Sequence, residues 1–335
     1  MVTRYARIAG IGSYLPERVL TNSELEQVVD TTDEWIVART GIRERRVVAA
    51  GEATSDLAVR AASRACDDAG CTPDDIDLLV VGTSTPDMMF PSTACLVQAA
   101  LNLTCPAYDL NAACSGFVFA LHSAATAIES GRVDRVLVIG ADALTRHVDF
   151  TDRATCVLFG DGAGALVLEA SDEPGVLGIS LGSDGRGADL LKVPAGGSAL
   201  PEPVAETGEG SRFLLMNGSE VFRFAVGAIP SATRSALEAS GLAVADLNWL
   251  VPHQANQRIL NTIASRLGVP AERVFSNVAT TGNTSAASIP LALDDLYTSG
   301  RIAPGDRIAL VGFGAGLTWG AAIVRWTKPL RTEEN

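Results

Sequence analysis

Short, almost entirely apolar runs alternate along this chain with longer segments whose apolar positions recur every three or four residues. The runs at 76–81, 135–139, 249–251 and 307–311 are too continuous for half-exposed strands, and they predict strands covered on both faces. The periodic segments predict helices at 54–70, 114–129, 222–239, 255–267 and 284–297. The fourth is closed by Gly268, and the fifth contains Pro290. Between these sets, residues 171–217 are rich in Gly, Pro, Ser and acidic side chains, which predicts a surface excursion or lid.

The pattern occurs twice. Ala69-Gly70 leading to Val80-Val81-Gly82 returns as Ser240-Gly241 leading to Val251-Pro252-His253, an offset of 171 residues. Ser130-Gly131-Arg132 returns as Ser299-Gly300-Arg301 (offset 169), and Val136 to Gly140 returns as Ile308 to Gly312 (offset 172). A duplicated α/β unit follows, with an N-terminal half at 1–170, the excursion at 171–217 and a C-terminal half at 218–335. Two such units can pair around one seam, which is the first place to look for a site.

Composition narrows the function. The 335 residues are 47% hydrophobic with 32 glycines, which suits tightly packed sheets and helices, and the net charge of −13 argues against a nucleic-acid partner. No run approaches the roughly 18 to 20 apolar residues of a membrane span. The start, Met1-Val2-Thr3-Arg4-Tyr5, leads directly into a strand-like segment without a signal-peptide pattern, which predicts a cytoplasmic protein. Six cysteines (66, 71, 95, 105, 114 and 156) lack the paired close spacing of a zinc site; most are expected to be small buried apolar residues, and no metal is expected.

Aligning the halves sets Cys114 opposite Asn283, each at the start of an Ala/Ser-rich helix. A thiol there meets the positive end of the helix dipole, which lowers its pKa, and the small neighbours Ala112, Ala113, Ser115 and Gly116 leave room for a substrate. Cys114 is the candidate nucleophile. His253, at a predicted strand end, has Gly82 as its counterpart, so the halves differ there. Asn283 is suited either to capping its helix or to donating an amide N–H. Cys, His and Asn together also fit a cysteine hydrolase in which the histidine is a base, and the residues alone do not choose. The glycine-rich runs at 160–164 and 312–316 lie between strand-like segments, so they predict turns or a close backbone approach to a ligand rather than a dinucleotide fingerprint.

Five motifs extend this reading: Asp33-Glu34-Trp35-Ile36 with Arg39-Thr40-Gly41-Ile42-Arg43; Ala113-Cys114-Ser115-Gly116-Phe117; Phe159-Gly160-Asp161-Gly162-Ala163-Gly164-Ala165; Pro252-His253-Gln254-Ala255-Asn256; and Gly282-Asn283-Thr284-Ser285-Ala286-Ala287-Ser288. With these, the chain resembles the β-ketoacyl-acyl-carrier-protein synthase III family of thiolase-fold condensing enzymes along nearly its whole length.

The resemblance implies a layered helix-sheet-helix-sheet-helix fold and a homodimer. It implies that Cys114 takes an acyl group from acyl-CoA, most simply acetyl-CoA. Malonyl on acyl carrier protein then loses CO2 while His253 and Asn283 donate to the developing enolate oxygen. The N–H of Cys114 and the loop Gly314-Ala315-Gly316 would hold the tetrahedral oxyanion. Trp35 and Arg153 would stack on the CoA adenine, and Arg39, Gly218, Phe222, Ala255 and Asn256 would line the pantetheine tunnel. Phe90, Leu144 and Phe159 would shape the acyl pocket, with Phe90 reaching across a dimer interface. Arg223, Arg258 and Arg266 would form a patch for the acidic carrier protein. CoA thioester is substrate, and no cofactor is expected. Thr280-Thr281, where many members have a basic and an aromatic residue, and Met88-Met89 before Phe90 depart from the family pattern and bear on pocket shape and partner preference, the methionines being able to adapt to varied acyl chains. The alternative is a related acyl-cysteine enzyme that primes a polyketide pathway or passes the acyl group to an alcohol or amine without decarboxylation.

Overall fold

The computed structural model describes residues 4–330; the first three residues of the strand-like start lie outside them. Along the chain the strands are β1 (Tyr5–Tyr14), β2 (Arg18–Thr21), β3 (Glu44–Val47), β4 (Leu78–Gly82), β5 (Ala107–Leu110), β6 (Arg135–Ala143), β7 (Asp161–Ser171), β8 (Val176–Ser183), β9 (Leu191–Lys192), β10 (Leu215–Met216), β11 (Trp249–Pro252), β12 (Arg307–Gly314) and β13 (Thr318–Arg325). One sheet has the order β1-β7-β6-β4-β5 and the other β11-β12-β13-β8. In both, the predicted apolar strands pair in parallel, β4 with β6 and β11 with β12, and the remaining connections to β7, β1, β13 and β8 are antiparallel.

Helices Gly116–Glu129 and Ser288–Thr298 run between the sheets. Their Phe117, Leu121, Ile289 and Leu293 are fully buried with Val138 and Leu310 from the facing strands in one central core. Helix Thr54–Ala69 covers the outer face of the first sheet, and helices Gly218–Ala239 and Gln257–Leu267 cover that of the second. The result is the five-layer helix-sheet-helix-sheet-helix thiolase fold. Helix Gln257–Leu267 ends on Gly268 at φ +77°, as its sequence predicts.

Three expectations change. Residues 176–183 are not surface excursion: β8 pairs with β13 in the second sheet and stands 171 residues after β1, so the repeat continues into the stretch assigned to the lid. What remains of it, 184–217, is mostly exposed loop with the small β9–β10 pair. Gly162 and Gly164 lie within β7 instead of a turn; a Cβ on Gly164 would sit 2.7 Å from Pro290, so the strand is bare to let the buried helix approach. Of the six cysteines, only Cys105, Cys114 and Cys156 are buried, and the other three are partly exposed.

The same close approach operates at the seam. A Cβ on Gly140 of β6 would collide with the carbonyl oxygen of Ala286 in the turn that carries Asn283. Gly140→Ala is expected to cost about 1 to 3 kcal/mol of stability through overpacking. Chemical denaturation checks it, and an unchanged midpoint would refute the contact. No helix among the described residues is long and apolar enough to cross a membrane.

Candidate active site

Cys114 sits in the single 3₁₀ turn Ala113–Ser115 that follows β5 and opens the buried helix. Ala113 takes φ +48°, a left-handed bend held by its N–H donating to Asn111 Oδ1 at 3.1 Å. The loop after β12 lies against this bend. A Cβ on Gly314 would come within 2.5 Å of the Cys114 nitrogen, and Thr318 Oγ1 donates to the carbonyls of Ala112 (2.8 Å) and Ala315 (2.9 Å). The backbone of 314–316 is thus fixed beside the nucleophile candidate.

His253 continues β11, its N–H bonded to the Val311 carbonyl at 2.7 Å. Its ring meets Phe313 edge-on at 5.3 Å, and its Nδ1 lies 2.6 Å from Ser288 Oγ. Asn283 bridges the halves: its N–H donates to the Leu158 carbonyl (2.8 Å) and its carbonyl accepts from Gly160 N–H (3.0 Å). Its side-chain Oδ1 accepts from the Ser285 N–H at 3.0 Å, which leaves Nδ2 as the end able to donate into the cavity. Below this bridge lies Arg45, fully buried, donating to the carbonyls of Leu20 and Val157 and to Asn22 Oδ1.

One cavity of about 480 Å³ is lined by Cys114, His253, Asn283, Phe313 and Gly314. Arg39, Gly218, Phe222, Ala255 and Asn256 line the same cavity. Asn256 caps helix Gln257–Leu267 with its Oδ1 and donates its Nδ2 to the Arg39 carbonyl at 3.2 Å. Trp35 lies nearby on helix Asp33–Thr40, with Arg153 4.9 Å and Arg39 5.5 Å from its ring centroid.

A second cavity of about 520 Å³ meets the first at Cys114 and Phe159, and Leu144 and Ala315 line it together with Met88 and Met89. Phe90 does not: it is 81% exposed. Leu191 borders both cavities, so the 184–217 segment contributes to the site. Arg223, Arg258 and Arg266 are all exposed; Arg223 is paired with Glu220, Arg266 donates to the Val226 carbonyl, and Arg258 stands at the mouth of the first cavity.

The electrostatics correct one expectation. Burial pushes the Cys114 thiol up to about 12, with the Asp142 carboxylate raising it further, against the lowering argued from the helix terminus. Burial likewise pushes His253 down to about 3, so its imidazole is neutral at physiological pH. Cys114 and His253 therefore rest as a neutral thiol and a neutral ring rather than as an ion pair. Three contributors escaped the reading of the residues: Ser288 beside the histidine, Asp142 beneath the asparagine turn and Ser285 beside the thiol. The two serines lie inside a motif already noticed, but nothing in spacing alone shows what their hydroxyls touch.

Comparison with known proteins adds a second line of evidence. The family model described as 3-oxoacyl-[acyl-carrier-protein] synthase III matches residues 108–185, and that of its C-terminal part matches 237–326. A β-ketoacyl-[acyl-carrier-protein] synthase III of Xanthomonas campestris pv. campestris is 54% identical over 323 residues, 96% of this chain and 98% of that relative. Among solved structures, a 3-oxoacyl-(acyl carrier protein) synthase III from Pseudomonas aeruginosa superposes with a TM-score of 0.90 at 44% identity, covering 98% of this chain and 100% of the other. The priming β-ketosynthase of the R1128 polyketide pathway gives 0.92 at 41% identity, with 98% of each chain covered.

Proposed function

This chain belongs to the 3-oxoacyl-[acyl-carrier-protein] synthase III family, and from that membership we propose how its own residues divide the work of a decarboxylating condensation between an acyl-CoA and malonyl-acyl carrier protein. The observation that carries the reading is the meeting of Cys114, His253 and Asn283 in one cavity, with the tunnel residues on one side and a separate apolar chamber on the other.

In the first half-reaction the Cys114 sulfur attacks the thioester carbonyl carbon of acyl-CoA. The oxyanion that forms is held by the N–H groups of Cys114 and the 314–316 loop. The bond from carbon to the CoA sulfur then breaks, and the proton lost by Cys114 ends on the departing CoA. The acyl chain extends into the chamber bordered by Leu144 and Phe159. Trp35 and Arg153 receive the adenine, which must part their present contact, and Arg39, Gly218, Phe222, Ala255 and Asn256 guide the pantetheine arm.

In the second, malonyl on the carrier protein releases CO2, and the electron pair of the broken C–C bond passes into an enolate. With the Ser288 hydroxyl donating to Nδ1, the proton of neutral His253 is on Nε2, so Nε2–H and Asn283 Nδ2–H both point at the enolate oxygen. The enolate carbon attacks the acyl-cysteine carbonyl, and Cys114 leaves and is reprotonated. The net reaction consumes one proton and yields 3-oxoacyl carrier protein, CoA and CO2. A resting histidine already charged could not be guaranteed a role as neutral donor; burial removes that ambiguity.

A homodimer places Phe90 of one copy to close the chamber of the other, which accounts for a large aromatic ring left 81% exposed on a single chain. Exposed Arg258, at the tunnel mouth, with Arg223 and Arg266 on neighbouring helix faces, offers charge to an acidic carrier protein. A CoA thioester is the substrate in this reading, and the chain works in the cytoplasm as two α/β halves built around one seam.

The structural likeness to a priming polyketide ketosynthase supports a neighbouring reading in which a longer or branched starter is used. Acyl-CoAs of increasing length, each offered with malonyl carrier protein and scored for CO2 and 3-oxoacyl product, test both. We expect stoichiometric CO2 and product, with the preferred length set by the Met88–Met89 chamber. Acyl transfer without CO2, or free acid as the sole product, would overturn the condensing reading.

A further inference from the structure

The Ser285 hydroxyl has no role in the reaction as described, yet its setting is not that of a packing residue. Ser285 is 1% exposed and its Oγ has no hydrogen-bond partner of ordinary geometry, although an unpaired buried hydroxyl is unfavourable to folding. It takes φ +50°, and with Ala113 and Asn102 it is one of three non-glycine residues among the described residues in that left-handed region. Ala113 precedes Cys114, so a strained bend lies on each side of the thiol.

The turn is locked from both ends. Ser285 N–H donates to Asn283 Oδ1, and Ala286 N–H donates to Asp142 Oδ2 at 3.0 Å. Asp142 is itself completely buried, with the N–H groups of Ser84 (2.8 Å) and Thr85 (3.1 Å) and the hydroxyls of Thr83, Ser84 and Thr85 all on its Oδ1. So held, the Ser285 side chain borders the acyl chamber beside Cys114. Its hydroxyl draws the Cys114 thiol down, against the burial that pushes it up.

The sulfur needs such a group. Of the titratable and charged groups around it, Asp142 on β6 opposes a thiolate and His253 is neutral. Arg39 and Arg258 line the tunnel cavity, and His147 and Lys192 line other parts of the acyl chamber, Lys192 paired with Asp189 and Glu209.

We propose that Ser285 is a further catalytic residue, whose hydroxyl donates to the Cys114 sulfur whenever that sulfur carries charge, on attack at acyl-CoA and on release of the β-ketoacyl product. The proposal rests on Cys114 being the acyl carrier. It assigns Ser285 to acyl transfer and not to decarboxylation, which falls to the two donors facing the other oxygen.

Ser285→Ala removes only the oxygen and suits the same backbone as well as serine does. Four readouts decide the matter: the alkylation rate of Cys114 by iodoacetamide between pH 7 and 10, labelling by radioactive acetyl-CoA, CO2 release by enzyme isolated in the acylated form, and the melting temperature. We expect alkylation and labelling to fall about tenfold at every pH, the scale of one hydrogen bond to a charged sulfur. CO2 release per acylated enzyme should be unchanged, and the melting temperature unchanged or higher. Wild-type rates of alkylation and labelling would overturn the proposal, as would a lowered melting temperature with all steps falling together, since that is the signature of packing. If the wild-type protein itself takes no label at Cys114, the acyl-carrier reading fails instead, while the alkylation comparison still reports on the hydroxyl.

Discussion

Cys114→Ala is expected to leave a folded protein that takes no acyl group from acetyl-CoA and forms no 3-oxoacyl product, a loss of about 10⁴-fold or more in kcat/KM. The size follows from chemistry rather than packing. The side chain is small and 7% exposed, so alanine removes one sulfur atom from the junction of two existing cavities and disturbs neither the 113–115 turn nor the Thr318 bonds that hold it. Without sulfur there is no thioester, and condensation cannot be split into two easier steps. Circular dichroism and radiolabel uptake together check this. Persistent labelling of the variant would show that another residue carries the acyl group.

The second large effect falls on the other half-reaction. His253→Ala and Asn283→Ala should each lower CO2 release by about 10² to 10³-fold, the usual loss when one preorganised donor to a developing oxyanion is removed. Both should still become acylated, because in the proposed mechanism the attack on acyl-CoA uses the backbone N–H groups around Cys114. The two losses should not add fully, since in the proposed mechanism both donors serve one oxygen. Asn283→Ala also frees the Ser285 N–H, so it should cost somewhat more than His253→Ala. Single-turnover assays on enzyme already carrying an acyl group separate these steps. An equal fall in acylation and CO2 release would mean that the replacements damage the whole site.

The duplication and the pairing of Cys114 with Asn283 were legible because apolar strands and small-residue helix starts leave a strong local pattern. What stayed hidden depends on distant contacts. Strand β8, Val-Leu-Gly-Ile-Ser-Leu-Gly-Ser over Val176–Ser183, has the glycines and serines of a loop, and it becomes a strand only because β13 offers it a ladder. The charge state of Cys114 stayed hidden for the same reason. A helix terminus is a local feature, whereas burial between two halves and the nearby Asp142 act across the seam and outweigh it. The idle hydroxyl of Ser285 is invisible until the turn around it is folded. Phe90 shows the converse: its role comes from resemblance alone, and a single chain supplies only the exposed ring.

In the proposed mechanism one sulfur accepts the acyl group while two separate donors drive the loss of CO2. The most direct test is to incubate His253→Ala with radiolabelled acetyl-CoA, isolate it, and add malonyl carrier protein while following label and CO2 in the same sample. The label should be found on Cys114 and should stay there, with CO2 release reduced by about 10² to 10³-fold. Rapid CO2 release at the wild-type rate, or failure of Cys114 to take up label, would contradict it.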